Sequence, residues 1–152
     1  MLPKWHILIG FVFSYILVYF FNISLTAGIM IFLASFLIDI DHYFYYVYKK
    51  RNLNPLTARK YFAKLERFWK SRPKEKSKYK YPIIIFHGIE FVLFLIILSY
   101  FYHVFTFAII GIILHLILDL IDCYFRKEPY YLKISQIYTF ITNKNKKIFT
   151  KI

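Results

Sequence analysis

The sequence predicts an all-α, polytopic integral membrane protein with four transmembrane helices and basic interfacial helices in its middle loop and tail. Three observations predict it. Of 152 residues, 59 % are hydrophobic and only 19 % charged, below the roughly 25 % of soluble domains, and mean hydropathy is +0.48. Four apolar stretches run 18 to 20 residues each, about 30 Å as helices and so the depth of a bilayer core. Lys and Arg are absent from the two short connections between those stretches.

The first stretch runs from Pro3 to Phe21 and the second from Ser24 to His42. The third spans Pro82 to Phe101 and the fourth Phe105 to Asp122. Pro3 and Pro82 are expected at helix starts, where the missing N–H costs nothing. The first stretch does not read as a signal peptide, because it carries His6 and no small-residue cleavage site follows. A soluble bundle would need helices with a polar face, and these have almost none. The whole chain, 1–152, reads as one membrane domain, with a basic loop at 43–81 and a basic tail at 123–152.

Charge sets the orientation. The chain has 21 Lys and Arg against 8 Asp and Glu. Thirteen of the cations lie in the middle loop and seven in the tail. The positive-inside rule then places the loop and both termini in the cytoplasm. In so apolar a chain the excess positive charge points to anionic lipid headgroups, and no nucleic acid is expected. Within the loop, Phe62, Leu65 and Trp69 recur at helical spacing among basic residues. In the tail, Ile134, Ile137, Tyr138 and Ile141 do the same. Both patterns are those of interfacial helices. One cysteine, Cys123, excludes a disulfide framework and a CxxC knuckle.

Ionisable residues in membrane helices are costly and point to function. Nine of them fall near the predicted cytoplasmic ends: His6, Asp39, Asp41, His42, His87, Glu90, His115, Asp119 and Asp122. His115, Asp119 and Asp122 are spaced i, i+4, i+7, on one helical face. His87 with Glu90, and Asp39 with His42, are i, i+3. On an unbroken helix Asp41 would point away from Asp39. No Lys or Arg lies within the apolar stretches themselves beyond the terminal Lys4, so these carboxylates would repel one another unless a cation joins them. A divalent metal supplies that charge. Imidazole with carboxylate suits zinc first, as one ion or two. The expected ligands are His6, Asp39, His42, His87, His115, Asp119 and Asp122, with Glu90 or Asp41 as general base.

At these residues the chain resembles the YdjM-type family of inner-membrane metal-dependent hydrolases. The matching pieces are His6 with Gly10, Asp39-x-Asp41-His42, His87-Gly88, and Gly111-x-x-x-His115-x-x-x-Asp119. The resemblance covers all four apolar stretches but neither the loop nor the tail. Ile38 stands where the family usually has proline, and Phe86-His87-Gly88-Ile89-Glu90 replaces its Arg-rich segment. The family is grouped with zinc-dependent phospholipase C, so the resemblance implies prokaryotic, phospholipase C-like phosphoester hydrolysis.

The expected function is therefore metal-dependent hydrolysis of a lipid or lipid-linked phosphoester at the inner membrane. The alternatives are a divalent-cation or proton transporter and a structural membrane subunit. A transporter would need polar residues continuing outward, and Ser14, Asn22, Thr26, Ser35 and His103 form no evident path. The orientation is open to a direct check. Reporter fusions after Lys76 should read as cytoplasmic and fusions at Asn22 as external; an external signal from the basic loop would reverse the topology.

Overall fold

The computed structural model describes residues 3–148. Helix α1 spans Pro3–Phe21, α2 Leu25–Leu37 and α3 Ile40–Lys50. The middle loop holds α4 (Pro55–Ser71) and the short α5 (Pro73–Lys76). Then come α6 (Ile89–Phe101) and α7 (Val104–Arg126), and the tail folds as α8 (Tyr131–Ile134) and α9 (Gln136–Asn143). Apart from one isolated bridge between Tyr79 and Lys147, the described residues carry no β-structure.

Three segments are long and apolar enough to cross a membrane: Lys4–Phe21, Leu25–Lys50 and Val104–Arg126. The expected fourth is not a continuous helix. The stretch from Pro82 to Phe101 is helical only over α6, whose 13 residues rise about 20 Å. Its first part, 82–88, is irregular, and Gly88 is fully extended (φ −165°, ψ 161°). Pro82 therefore starts no helix. The reason lies in partners that hydropathy does not register, because side chains from elsewhere take up the backbone of this segment.

The second stretch also departs from one straight rod. Ser24 caps α2, accepting from the Ala27 N–H, and the helix turns at Ile38–Asp39 before α3 begins. That turn swings Asp41 inward, so Asp39 and Asp41 serve the same side.

Helix α2 is the central strut, packed against α1 and α7, with α6 on the other flank of α7. The α2–α7 crossing is close because Gly111 has no side chain. A Cβ there would meet the Ile31 carbonyl oxygen at 2.2 Å and the Ala34 Cβ at 2.9 Å. Small residues allow such backbone approach between membrane helices, where apolar burial against lipid gives no advantage. The outward faces carry Phe11, Tyr15, Leu93, Ile97, Ile113 and Ile117, all exposed, as a lipid-facing surface requires. Replacing Gly111 by Ala should cost about 1–3 kcal/mol through overpacking and lower the melting temperature in detergent. Ile113→Ala, on the outer face of the same helix, should leave it nearly unchanged.

Candidate metal centre

Four side-chain atoms from three parts of the chain converge below the α2–α7 crossing. His87 Nε2 lies 3.1 Å from His115 Nε2, 3.3 Å from Asp39 Oδ1 and 3.7 Å from Asp119 Oδ2. His115 Nε2 is 3.7 Å from Asp39 Oδ1 and 3.6 Å from Asp119 Oδ2. His87 and His115 are fully buried. The i, i+4 spacing on α7 puts His115 and Asp119 on one face, and the Ile38–Asp39 turn brings Asp39 to them.

The tautomers of both imidazoles follow from their other nitrogens. His115 Nδ1 lies 2.8 Å from the Ser35 carbonyl oxygen, which can only accept, so Nδ1 carries the proton. His87 Nδ1 donates to Asp41 Oδ2 at 3.1 Å, an oxygen that also accepts the Phe86 N–H at 2.9 Å. Both Nε2 atoms thus present lone pairs to each other. Two facing lone pairs at that distance repel unless a cation lies between them.

The donor set fits a metal ion. Tetrahedral zinc with bonds of about 2.0–2.2 Å has ligand–ligand edges of about 3.3–3.6 Å, and the five separations above bracket that range. Asp39 Oδ2 and His6 Nδ1 are buried without hydrogen-bond partners, as groups awaiting a ligand would be. The buried His and Asp groups could therefore hold a metal ion, in the overlapping sets His87–His115–Asp119, Asp39–His42–His87 and His6–Asp39–His115.

The remaining expected residues divide. His6 stacks on His115 with ring centroids 3.9 Å apart, and its Nε2 lies 3.5 Å from Asp119 Oδ1. His42 sits at the cluster's open edge, its Nδ1 3.2 Å from Asp41 Oδ1 and its side chain 31 % exposed. Asp41 stands behind His87 and orients it, the usual place of a carboxylate that supports a ligand histidine. Glu90 and Asp122 are not brought into the cluster. Glu90 accepts from the Ser135 hydroxyl and from the N–H groups of Gln136 and Ile137, so its charge anchors the N-terminus of α9. Asp122 pairs with Arg126 at 2.8 Å, and Arg126 reaches Glu66 on α4 at 2.9 Å.

Two participants escaped the sequence reading. The carboxylates do have a cation from outside the apolar stretches: Lys133 Nζ lies 2.6 Å from Asp119 Oδ2. Burial disfavours this ammonium, but Asp119 outweighs burial and holds its pKa above the ordinary lysine value. Gln136, the sole glutamine of the chain, holds the segment that carries His87. It accepts from the Ile84 N–H at 3.0 Å and donates to the carbonyls of His87 at 2.6 Å and Leu132 at 2.8 Å. Asn143 repeats the pattern on Tyr81, accepting its N–H at 3.0 Å and donating to its carbonyl at 2.9 Å. The available signal was the polar stripe Gln136, Thr139, Asn143, spaced i, i+3, i+7.

No protein-family model, curated protein or solved structure matches the chain.

Gln136→Leu should destabilise the protein by about 2–4 kcal/mol, because a buried N–H and carbonyl each cost about 1–3 kcal/mol when left unpaired. Thermal melts in detergent measure this, and Ile137→Leu on the exposed face of α9 provides the control.

Proposed function

We propose that the chain is an inner-membrane metal-dependent hydrolase acting on a phosphoester of a lipid or lipid-linked substrate, with loop and termini cytoplasmic. The observation that carries the metal is the facing pair of Nε2 atoms, each with its Nδ1 proton already committed. A shared proton would also relieve that pair. Lys133 also answers Asp119, but neither it nor a shared proton accounts for Asp39 Oδ1 at the same point, whereas a metal uses all four groups.

His87, His115, Asp39 and Asp119 would hold the ion. A divalent ion there would polarise a phosphoryl oxygen and make a nearby water more acidic. Asp41 and the Ser35 carbonyl hold the two imidazoles in the tautomer that frees each Nε2. His42 is the member of the cluster that solvent reaches. With Nδ1 held by Asp41, it is placed to take a proton at Nε2 from an attacking water. Glu90 and Asp41, expected as bases, are committed to α9 and to His87. Phosphoester substrates are favoured by the hardness of the donor set, by the basic loop that would gather anionic amphiphiles, and by the resemblance to YdjM-type hydrolases.

The test is metal analysis of detergent-purified protein. At least one divalent ion per chain should copurify, zinc first. His115→Ala and Asp119→Asn should lose it together with hydrolysis. Asp41→Asn should weaken binding about 10–100-fold, the usual cost of losing a carboxylate behind a ligand histidine. Chelation should lower the melting temperature, since an ion bound only to the folded state stabilises it. Metal-free protein whose melting ignores chelator, with a silent Asp119→Asn, would leave the cluster as helix-joining hydrogen bonds.

A further inference from the structure

A second site lies away from the metal cluster, where α3 leaves the apolar span. A cavity of about 350 Å³ opens between α3 and α4. Helix α3 contributes Tyr46 and Lys50, one turn apart, and Asn52 follows in the turn. Helix α4 contributes Thr57, Lys60, Tyr61 and Lys64. Those four are spaced i, i+3, i+4, i+7, a single helical face. Three ammonium-bearing side chains therefore point to one concavity, and no carboxylate lines it.

The cavity also holds a buried polar group. Tyr61 is 7 % exposed; its hydroxyl makes no hydrogen bond of normal geometry, and the Lys49 ammonium is the charge that acts on it. Its neighbour Tyr46 differs, because Tyr46 Oη meets Thr57 Oγ1 at 2.7 Å, and Thr57 Oγ1 in turn donates to the Asn54 carbonyl. Burial pushes the Tyr61 phenol above its ordinary pKa, so at neutral pH it is an O–H donor. The Lys50 ammonium lies over the Tyr61 ring, 5.3 Å from its centroid. Thr57 stands in the first turn of α4, where the helix dipole favours an anion. Lysines and a buried phenol that can donate have one chemistry in common: they recognise phosphate oxygens; the first N–H groups of α4 are already taken by Asn54, so the helix start adds only its dipole.

We infer that the α3–α4 cavity is a phosphate-binding pocket, reading a phosphomonoester headgroup or a free phosphate. Its exposed lysines converge on one concavity around the buried Tyr61, which sets it apart from the general attraction of a basic loop to anionic lipid. It is independent of the metal centre, and its ligand need not be the substrate.

The test uses the full chain in a neutral detergent, titrated by calorimetry with inorganic phosphate and, separately, with short-chain phosphatidic acid; short-chain phosphatidylcholine is the blank. Tyr61→Phe keeps the ring and every charge and should weaken binding about tenfold, the loss of one hydrogen bond to a charged group. Lys60→Gln/Lys64→Gln should abolish binding, while Lys70→Gln/Lys78→Gln, which removes the same charge elsewhere in the loop, should leave it within about twofold. Binding of phosphatidic acid alone identifies the source as a lipid headgroup, and binding of inorganic phosphate as a soluble compound. Two results overturn the inference: no binding of either probe, or binding that ignores Tyr61→Phe and falls equally with both lysine pairs.

Discussion

The backbone of residues 81–88 governs this structure. A buried N–H or carbonyl left unpaired costs about 1–3 kcal/mol, so irregular chain persists in a packed interior only where the protein supplies its partners. Here the partners are side chains. Asn143 takes both polar groups of Tyr81, Gln136 takes the Ile84 N–H and the His87 carbonyl, and Asp41 takes the Phe86 N–H. Asn143 and Gln136 tie the segment to α9 and Asp41 ties it to α3, while the chain itself continues into α6. His87 is then delivered to His115 as part of the backbone's own requirement for partners. A helical 82–88 would satisfy itself and would free Gln136 and Asn143 from any reason to dock.

This explains what could and could not be read in the sequence. Hydropathy located α1 to the residue and the start of α7 to within one, with α7 running four residues past the expected Asp122 to Arg126, because each is a self-contained hydrogen-bonded rod. The clustering of His6, Asp39, His42, His87, His115 and Asp119 was also legible, since topology and helical spacing put them at one depth. Three features were not. Apolar composition does not separate the helical part of Pro82–Phe101 from its extended part. The turn at Ile38–Asp39 hid the common orientation of Asp39 and Asp41. Lys133 read as one more tail charge, because nothing local reports a partner on α7. All three depend on contacts distant in sequence.

Helix α9 shows the solvent at work. Gln136, Thr139 and Asn143 are buried, Thr139 completely, while Ile137, Phe140 and Ile141 are more than half exposed. In water that arrangement would be inside out. The polar stripe answers the backbone of 81–88, and the apolar face is left outward. The apolar stripe seen in the sequence is thus the outward face of α9, and its polar stripe is the packing face.

Helix α3 joins the two chemistries. Its first turn carries Asp41 and His42 beside the metal-competent cluster, and its last turn carries Lys49 and Lys50. The helix is 11 residues long, about 16 Å. Acidic residues at its start and basic residues at its end both suit the helix dipole, so the charge separation is stable in the helix itself. A rod of this length cannot move one end without the other. The turns of α3 thus separate Asp41, which holds Nδ1 of His87, from Lys50 at the rim of the α3–α4 cavity.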